Sequence, residues 1–224
     1  MIVCLSASNI KHAGKNSTSL KICELIKEMV QRKNDEEIIV EVVSLVEKEL
    51  IPCIGCGRCF NEDKCVLDEE FNSIYEKLIK AEALFMVSAH YAPIPSKLAM
   101  LLEKMEQLAF LKRFNNESYR SPLYRKPVGI IGHGGGTEEI IRYYKGPVID
   151  SICNALSYPI EMNIVSGNNE QIKGVLLPVR NVKKVEYSIF PLQEYDWNDI
   201  ENRLNPLVKN ILKEIERARN KKDI

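Results

Sequence analysis

Four cysteines crowd one short stretch of this chain: Cys53, Cys56, Cys59 and Cys65 stand in the order C-x2-C-x2-C-x5-C. Gaps of two residues let successive sulfurs point at one centre. Gly55 and Gly57 between them permit positive φ and let backbone N–H groups approach the sulfurs. Structural zinc sites more often pair two short cysteine knuckles across a longer span, so this single run suits a 4Fe-4S cluster better. A zinc ion and an empty or redox-active loop are the alternatives. Arg58 and Lys64 offset part of the negative charge that four thiolates would carry. Cys4, Cys23 and Cys153 lie apart in apolar periodic segments and read as buried small hydrophobes.

Three further loops carry polar or aromatic groups that could meet a ligand. The first runs from Ser6 to Ser19 and offers the hydroxyls and amides of Ser6, Ser8, Asn16, Ser17 and Thr18 to a phosphate at the start of a helix. The same residues would also serve as ordinary helix caps. The loop has no G-x-G-x-x-G, and the glycine a P-loop requires is replaced by Asn9, so dinucleotide and triphosphatase readings fail. The second loop, Ser88, Ala89, His90, Tyr91, Ala92, Pro93 and Ile94, places an aromatic ring beside rigid prolines. There a flat heteroaromatic ring could lie, with Tyr91 stacking, or the segment is simply a helix entry with a half-buried tyrosine. The third is His133, Gly134, Gly135 and Gly136. A lipase-type oxyanion hole would need a G-x-S-x-G elbow that the chain lacks, whereas three glycines let the backbone approach a bound ring. His133 either bonds the ring edge or caps the turn, and His12 and His90 stay undecided.

The elements that must position these loops follow from apolar periodicity. Met1–Ser6, Ile38–Leu45, Ala83–Ala89, Pro127–Gly132 and Ile160–Val165 read as five buried strands. Helical stripes fall between them at Ser17–Arg32, Asp68–Lys80 and Ser96–Leu111, and from Thr137 to about Ser157 with a break near Gly146-Pro147. Strands alternating with helices predict one doubly wound parallel sheet filling a single domain, residues 1–224, and ligands in such sheets sit beyond the carboxyl ends of the strands. Asn169–Tyr195 fits no period and is expected to form an appended hairpin or lid. An amphipathic helix from Trp197 closes the chain.

Lysine plus arginine total 31 and aspartate plus glutamate 31, which encodes no field for nucleic acid. The longest apolar stretches are too short to span a membrane, no signal segment opens the chain, and a cytoplasmic protein is expected.

Taken together, these residues make the chain resemble the iron-sulfur flavoproteins, within the flavodoxin-like NAD(P)H-dependent FMN reductases. The likeness covers about Met1–Val165. It rests on the cysteine spacing, on Asn16-Ser17-Thr18 with Leu20, on Tyr91-Ala-Pro-Ile-Pro-Ser96 leading to Leu101-Leu102-Glu103-Lys104, and on the glycine run. Ser6-Ala-Ser-Asn replaces the usual G-S-P-R opening, and Ser88 stands where the family often has proline. The resemblance implies strand order 2-1-3-4-5 with a C-terminal extension. It implies FMN held by the three loops and a 4Fe-4S cluster held by the four cysteines. The expected activity is a flavin-dependent oxidoreductase, with electrons from NAD(P)H or ferredoxin passing to a small-molecule acceptor. A homodimer or homotetramer is expected. The competing readings are an electron carrier or flavin-binding module without catalysis, its cysteine loop holding zinc or nothing, and a zinc-stabilised hydrolase that lacks its nucleophile.

Overall fold

The computed structural model describes residues 1–10, 16–33, 38–167, 173–186 and 192–220. Among them, β1 (Ile2–Ala7), β2 (Val40–Ser44), β3 (Ala83–Ala89), β4 (Pro127–His133) and β5 (Asn163–Val165) form a parallel sheet in the order β2-β1-β3-β4-β5. This is the flavodoxin-like order. The central strands β1, β3 and β4 are buried along their whole lengths, which is why they read as continuous apolar runs rather than alternating ones.

Helices cover both faces. On one side α2 (Glu69–Lys80), α3 (Ser96–Asn115) and α5 (Ser151–Leu156) bury Phe71, Ile74, Leu101, Met105, Ile152 and Leu156. On the other, α1 (Thr18–Lys33) and α6 (Trp197–Asn220) bury Ile22, Ile26, Leu204, Leu207 and Ile211. Gly129 of β4 makes this second packing possible, since a Cβ there would stand 3.0 Å from Phe85 and 3.1 Å from Leu207. Cys4, Cys23 and Cys153 are buried, as their apolar surroundings suggested.

Sequence and structure part at three places. The helix expected from Thr137 is a chain of short pieces: α4 (Glu138–Ile141), a 3-10 turn at Arg142–Tyr144, a π-helical stretch at Lys145–Asp150 and then α5. Gly146 and Pro147 fall inside the π-helical stretch, where proline's missing N–H disturbs the regular ladder. Asp68 caps α2 rather than opening it, its carboxylate accepting from Phe71 N at 2.9 Å. The fifth strand position is filled twice over. β5 pairs with Pro127–Gly129, and β6 (Val175–Leu177) pairs with Ile131–His133, also parallel, so the sheet has six strands.

The segment Asn169–Tyr195 therefore contributes both this sixth strand and a hairpin of β7 (Asn181–Lys183) with β8 (Leu192–Glu194). Val175, Leu177 and Val179 are buried in the domain's own core. Ile189 and Phe190 lie outside the described residues, as do His12, Gly14 and Lys15 of the first loop.

Candidate functional site

The carboxyl ends of β1, β3 and β4 converge on a cavity of about 260 Å3 lined by Ser8, Ile10, Asn16, Ser17, Thr18, Ala89, His90, Tyr91, His133, Gly134, Gly135 and Gln193. Register explains the convergence: Ala7 lies beside Ser88 and Ala89 beside His133, so the three loops leave the sheet at one level. Of the residues singled out from the sequence, Ser6 and Ser88 are buried strand positions behind this wall, and the Ser88 hydroxyl donates to Ala89 O at 3.0 Å. Ala92 and Pro93 are exposed, Ile94 packs against the α2–α3 core, and Gly136 O accepts from Val179 N at 2.9 Å.

His133 sits on the cavity floor, 5% exposed. Its Nε2 lies 2.7 Å from Ser19 Oγ, and that hydroxyl donates to Ala7 O at 3.2 Å. With its proton so committed, Ser19 Oγ accepts from Nε2–H, which leaves Nδ1 as a bare lone pair. Among the described residues Nδ1 is buried and has no hydrogen-bond partner. Burial lowers the imidazole pKa to about 4, so the ring is neutral at ordinary pH. A buried acceptor without a donor is costly unless something completes it.

Around this floor stand His90 and Tyr91, with Tyr144 packed behind the wall. His90 stacks on Tyr144, ring centroids 4.3 Å apart and 9° from parallel. The Tyr144 ring also presses on Gly134, where a Cβ would come within 2.6 Å of Cε2. Tyr91 is half-buried, which raises its hydroxyl pKa, and it shares a hydrogen bond with Ser8, tying the β3 loop to the β1 loop. Above the wall, Thr18 opens α1, whose first N–H groups have no intrahelical acceptors and whose dipole favours an anion. Sequence reasoning missed Ser19, Tyr144, Gln193 and Tyr195. Only Ser19 carried a signal, as the last hydroxyl of the phosphate loop.

The cysteine loop forms a second, separate cavity of about 140 Å3, which shares no lining residue with the first. Cys53, Cys56, Cys59 and Cys65 all line it, together with Lys104, Gln107, Leu108 and Leu111 of α3. Those helix positions lie 8 to 15 residues past Ser96, about 12–22 Å down the axis from the helix start. Gly55 and Gly57 adopt φ of 65° and 66° with nothing within 4 Å of a Cβ, so backbone conformation, not crowding, demands glycine.

Polar clasps hold the loop. Asn72 receives Cys65 N at 2.9 Å and donates to Cys65 O at 2.7 Å, while Cys53 N donates to Glu103 at 3.3 Å. Asp68 receives Ile51 N at 3.1 Å before the loop and Phe71 N after it, and forms a buried ion pair with Lys104. Burial alone would raise the Asp68 carboxyl; Lys104 and the two N–H groups outweigh it and hold the group below its ordinary range. Burial pushes the Cys59 thiol up, and Cys53, Cys56 and Cys65 push the same way. Among the described residues no three His, Cys, Asp or Glu side chains stand close enough to hold a single metal ion.

A family model described as NADPH-dependent FMN reductase matches residues 1–144. The chain belongs to this family. An iron-sulfur flavoprotein of Methanocaldococcus jannaschii is 32% identical over 85 residues, covering 38% of this chain and 44% of the relative. Another, from Methanosarcina thermophila, is 31% identical over 65 residues, covering 29% and 34%. The chain thus spans less than half the length of either curated relative in these matches. The flavoenzyme NAD(P)H:(acceptor) oxidoreductase FerB from Paracoccus denitrificans shares the fold, with a TM-score of 0.57, 14% identity and 96% of each chain covered. The FMN reductase match stops at Tyr144, so β5 to β8 and α6 lie beyond it.

The strand-end cavity fits the flavin of an FMN reductase. Its helix start suits a phosphate, and the unpartnered His133 Nδ1 calls for a hydroxyl or N–H that such a ligand carries.

Proposed function

We propose that the protein is an FMN-dependent oxidoreductase that takes electrons from NAD(P)H or ferredoxin and passes them to a small-molecule acceptor. The observation that carries this reading is the orphaned, buried His133 Nδ1 on the floor of a cavity walled by the three strand-end loops. Thr18 and the free N–H groups of α1 hold the phosphate. Ala89 to Tyr91 and His133 to Gly135 flank the ring. The flavin supplies the redox chemistry, exchanging electrons in pairs or singly. The chain's own residues bind it, orient it through neutral His133 and exclude water with His90 and Tyr91.

The same reading gives the cysteine loop a 4Fe-4S cluster. Four thiols lining one cavity, in a single run of short spacings and not in two separated knuckles, support a cluster over zinc. Lys104 at the cavity wall is neutralised by Asp68, so Arg58 and Lys64 within the loop are the cations left to offset the thiolates. All seven cysteines are free, which suits a reducing cytoplasm, and among the described residues no helix is long and apolar enough to cross a membrane. Assembly as a homodimer or homotetramer draws support from Ile54, Phe60, Phe110 and Phe114, which expose apolar surface near the cysteine loop.

Titration of the purified protein with FMN tests the reading. Saturable binding is expected, followed by NAD(P)H-driven reduction of quinone or nitro acceptors with a finite KM. Folded protein that binds no FMN refutes it, and bound FMN that exchanges electrons without saturating in any acceptor identifies a carrier instead.

A further inference from the structure

The family match ends at Tyr144, yet one residue far beyond it lines the flavin cavity. Gln193 reaches there because the β7–β8 hairpin is pinned to the glycine loop. Val179 N donates to Gly136 O at 2.9 Å, Arg180 N to Glu194 O at 2.7 Å, and Lys183 pairs with Glu194 at 2.5 Å. Alternation along an extended strand turns Gln193 and Tyr195 to the same side, away from Glu194. On that side Gln193 Nε2 lies 3.2 Å from where a Gly135 Cβ would be, so the carboxamide rests directly on the glycine run.

Tyr195 fixes which end of the amide faces the ligand. Its hydroxyl donates to Gln193 Oε1 at 2.9 Å and lies 3.5 Å from Gly134 O, and Thr18 at the start of α1 hydrogen-bonds it in turn. Once Oε1 is occupied, Nε2 is the free end, and it has no hydrogen-bond partner among the described residues. Two N–H donors are thus presented at the mouth of a cavity already furnished for an anion and a polar ring.

We propose that Gln193, oriented by Tyr195, is a ligand-binding residue of this pocket, donating its carboxamide N–H to an acceptor oxygen of the bound flavin nucleotide. The oxygen is either on the phosphate or on the ring and its ribityl chain. The proposal rests on the FMN reading above and adds to it that a segment outside the matched family region completes the site. Tyr195 is a positioning residue, acting through Gln193.

Fluorescence titration of the full chain with FMN and, separately, with riboflavin tests this. Gln193→Leu is expected to weaken FMN binding about tenfold, the loss of one hydrogen bond to a polar or charged acceptor. Gln193→Glu keeps the shape but presents acceptors to an acceptor, and should weaken FMN binding more than Gln193→Leu. Tyr195→Phe should weaken it less, and added to Gln193→Leu it should cost less than it costs alone, because the hydroxyl acts mainly through the amide and otherwise only on Thr18. Loss against FMN with riboflavin unaffected assigns the contact to the phosphate; equal loss against both assigns it to the ring or ribityl chain. Thermal unfolding of each variant guards against a fold defect, which a rim side chain should not cause. Unchanged protein that binds neither flavin removes the FMN reading and this proposal together. Tight FMN binding that survives both Gln193 substitutions overturns this proposal alone.

Discussion

The strand-end pocket and the cysteine loop are built on opposite plans. In the pocket the backbone of three parallel strands fixes the walls, and side chains such as His133 and Ser19 are buried and bonded to each other, Ser19 also donating to Ala7 O. The cysteine loop contains only a 3-10 turn at Arg58–Phe60, exposes Cys56 and Ile54, and owes its shape to clasps from Asp68, Asn72 and Glu103 at its margins. A site on a sheet inherits its geometry from the fold, whereas a site on a loop must be closed by specific polar contacts or by its guest. The two should therefore fail independently.

The largest effect expected is on the loop. Cys56→Ser should remove essentially all iron from protein reconstituted anaerobically with iron and sulfide, while FMN affinity stays unchanged. Metal analysis and flavin titration on the same sample read both. Loss of FMN along with iron would mean the two regions form one cooperative unit.

Breaking the clasp comes next. Asp68 and Lys104 are 2% and 4% exposed at their side chains, and removing one partner of a buried pair costs about 3–5 kcal/mol. Asp68→Asn should lower the unfolding free energy, read from denaturant unfolding, by that order and loosen the loop at Ile51, since the same carboxylate holds both the loop entry and the α2 cap. Protease sensitivity should rise within 50–67 before it rises elsewhere. Uniform sensitivity across the chain would show that the ion pair supports the whole core.

How far each region could be read in advance follows the same division. The cysteine loop announced itself, because C-x2-C-x2-C-x5-C is local and chemical. Its clasp did not, because Asp68, Asn72 and Lys104 look like ordinary helix residues until α2 and α3 are packed. The pocket was legible as a place, since alternating strands and helices fix where strand ends gather. Which residues line it was less visible: Ser6 and Ser88 are buried strand positions outside the cavity lining, and a buried run without alternation conceals that. Gln193 comes from a strand of three residues and Tyr195 from the residue just past it, too short a stretch to show any period. β6 was missed for the same reason, although its burial completes the sheet beside His133.

The pocket's own weak point is acid. The folded chain keeps His133 neutral down to about pH 4, whereas an unfolded imidazole binds a proton near pH 6.5. Between those values the unfolded chain holds the extra proton, so stability falls as the pH drops through the window, by about 3 kcal/mol in all. His133→Gln removes the group, and the variant's stability should lack that part of the decline. Denaturant unfolding at pH 7, 5.5 and 4.5 measures the difference between the two proteins. Parallel curves would mean that another group carries the acid response.

Glycine substitutions give the smallest effects and the sharpest contrast, because the two regions use glycine for different reasons. Gly134 has no unusual φ, but a Cβ there would stand 2.6 Å from the Tyr144 ring. Gly134→Ala must displace that ring from His90, so it should weaken flavin binding severalfold at a stability cost of about 1–3 kcal/mol. Gly55 is the reverse case: its φ is 65° and nothing lies within 4 Å of a Cβ. Gly55→Ala meets no neighbour and costs only the strain of a left-handed backbone, about 1 kcal/mol, with FMN binding untouched. Because the turn between Cys53 and Cys56 depends on that conformation, the strain should appear as weaker iron retention during a chelator challenge. Gly55→Asn, which tolerates the left-handed region better than alanine, should recover most of it. If alanine and asparagine lose iron equally fast, the loop needs glycine for close approach to its guest and not for its φ, and the contrast with Gly134 disappears.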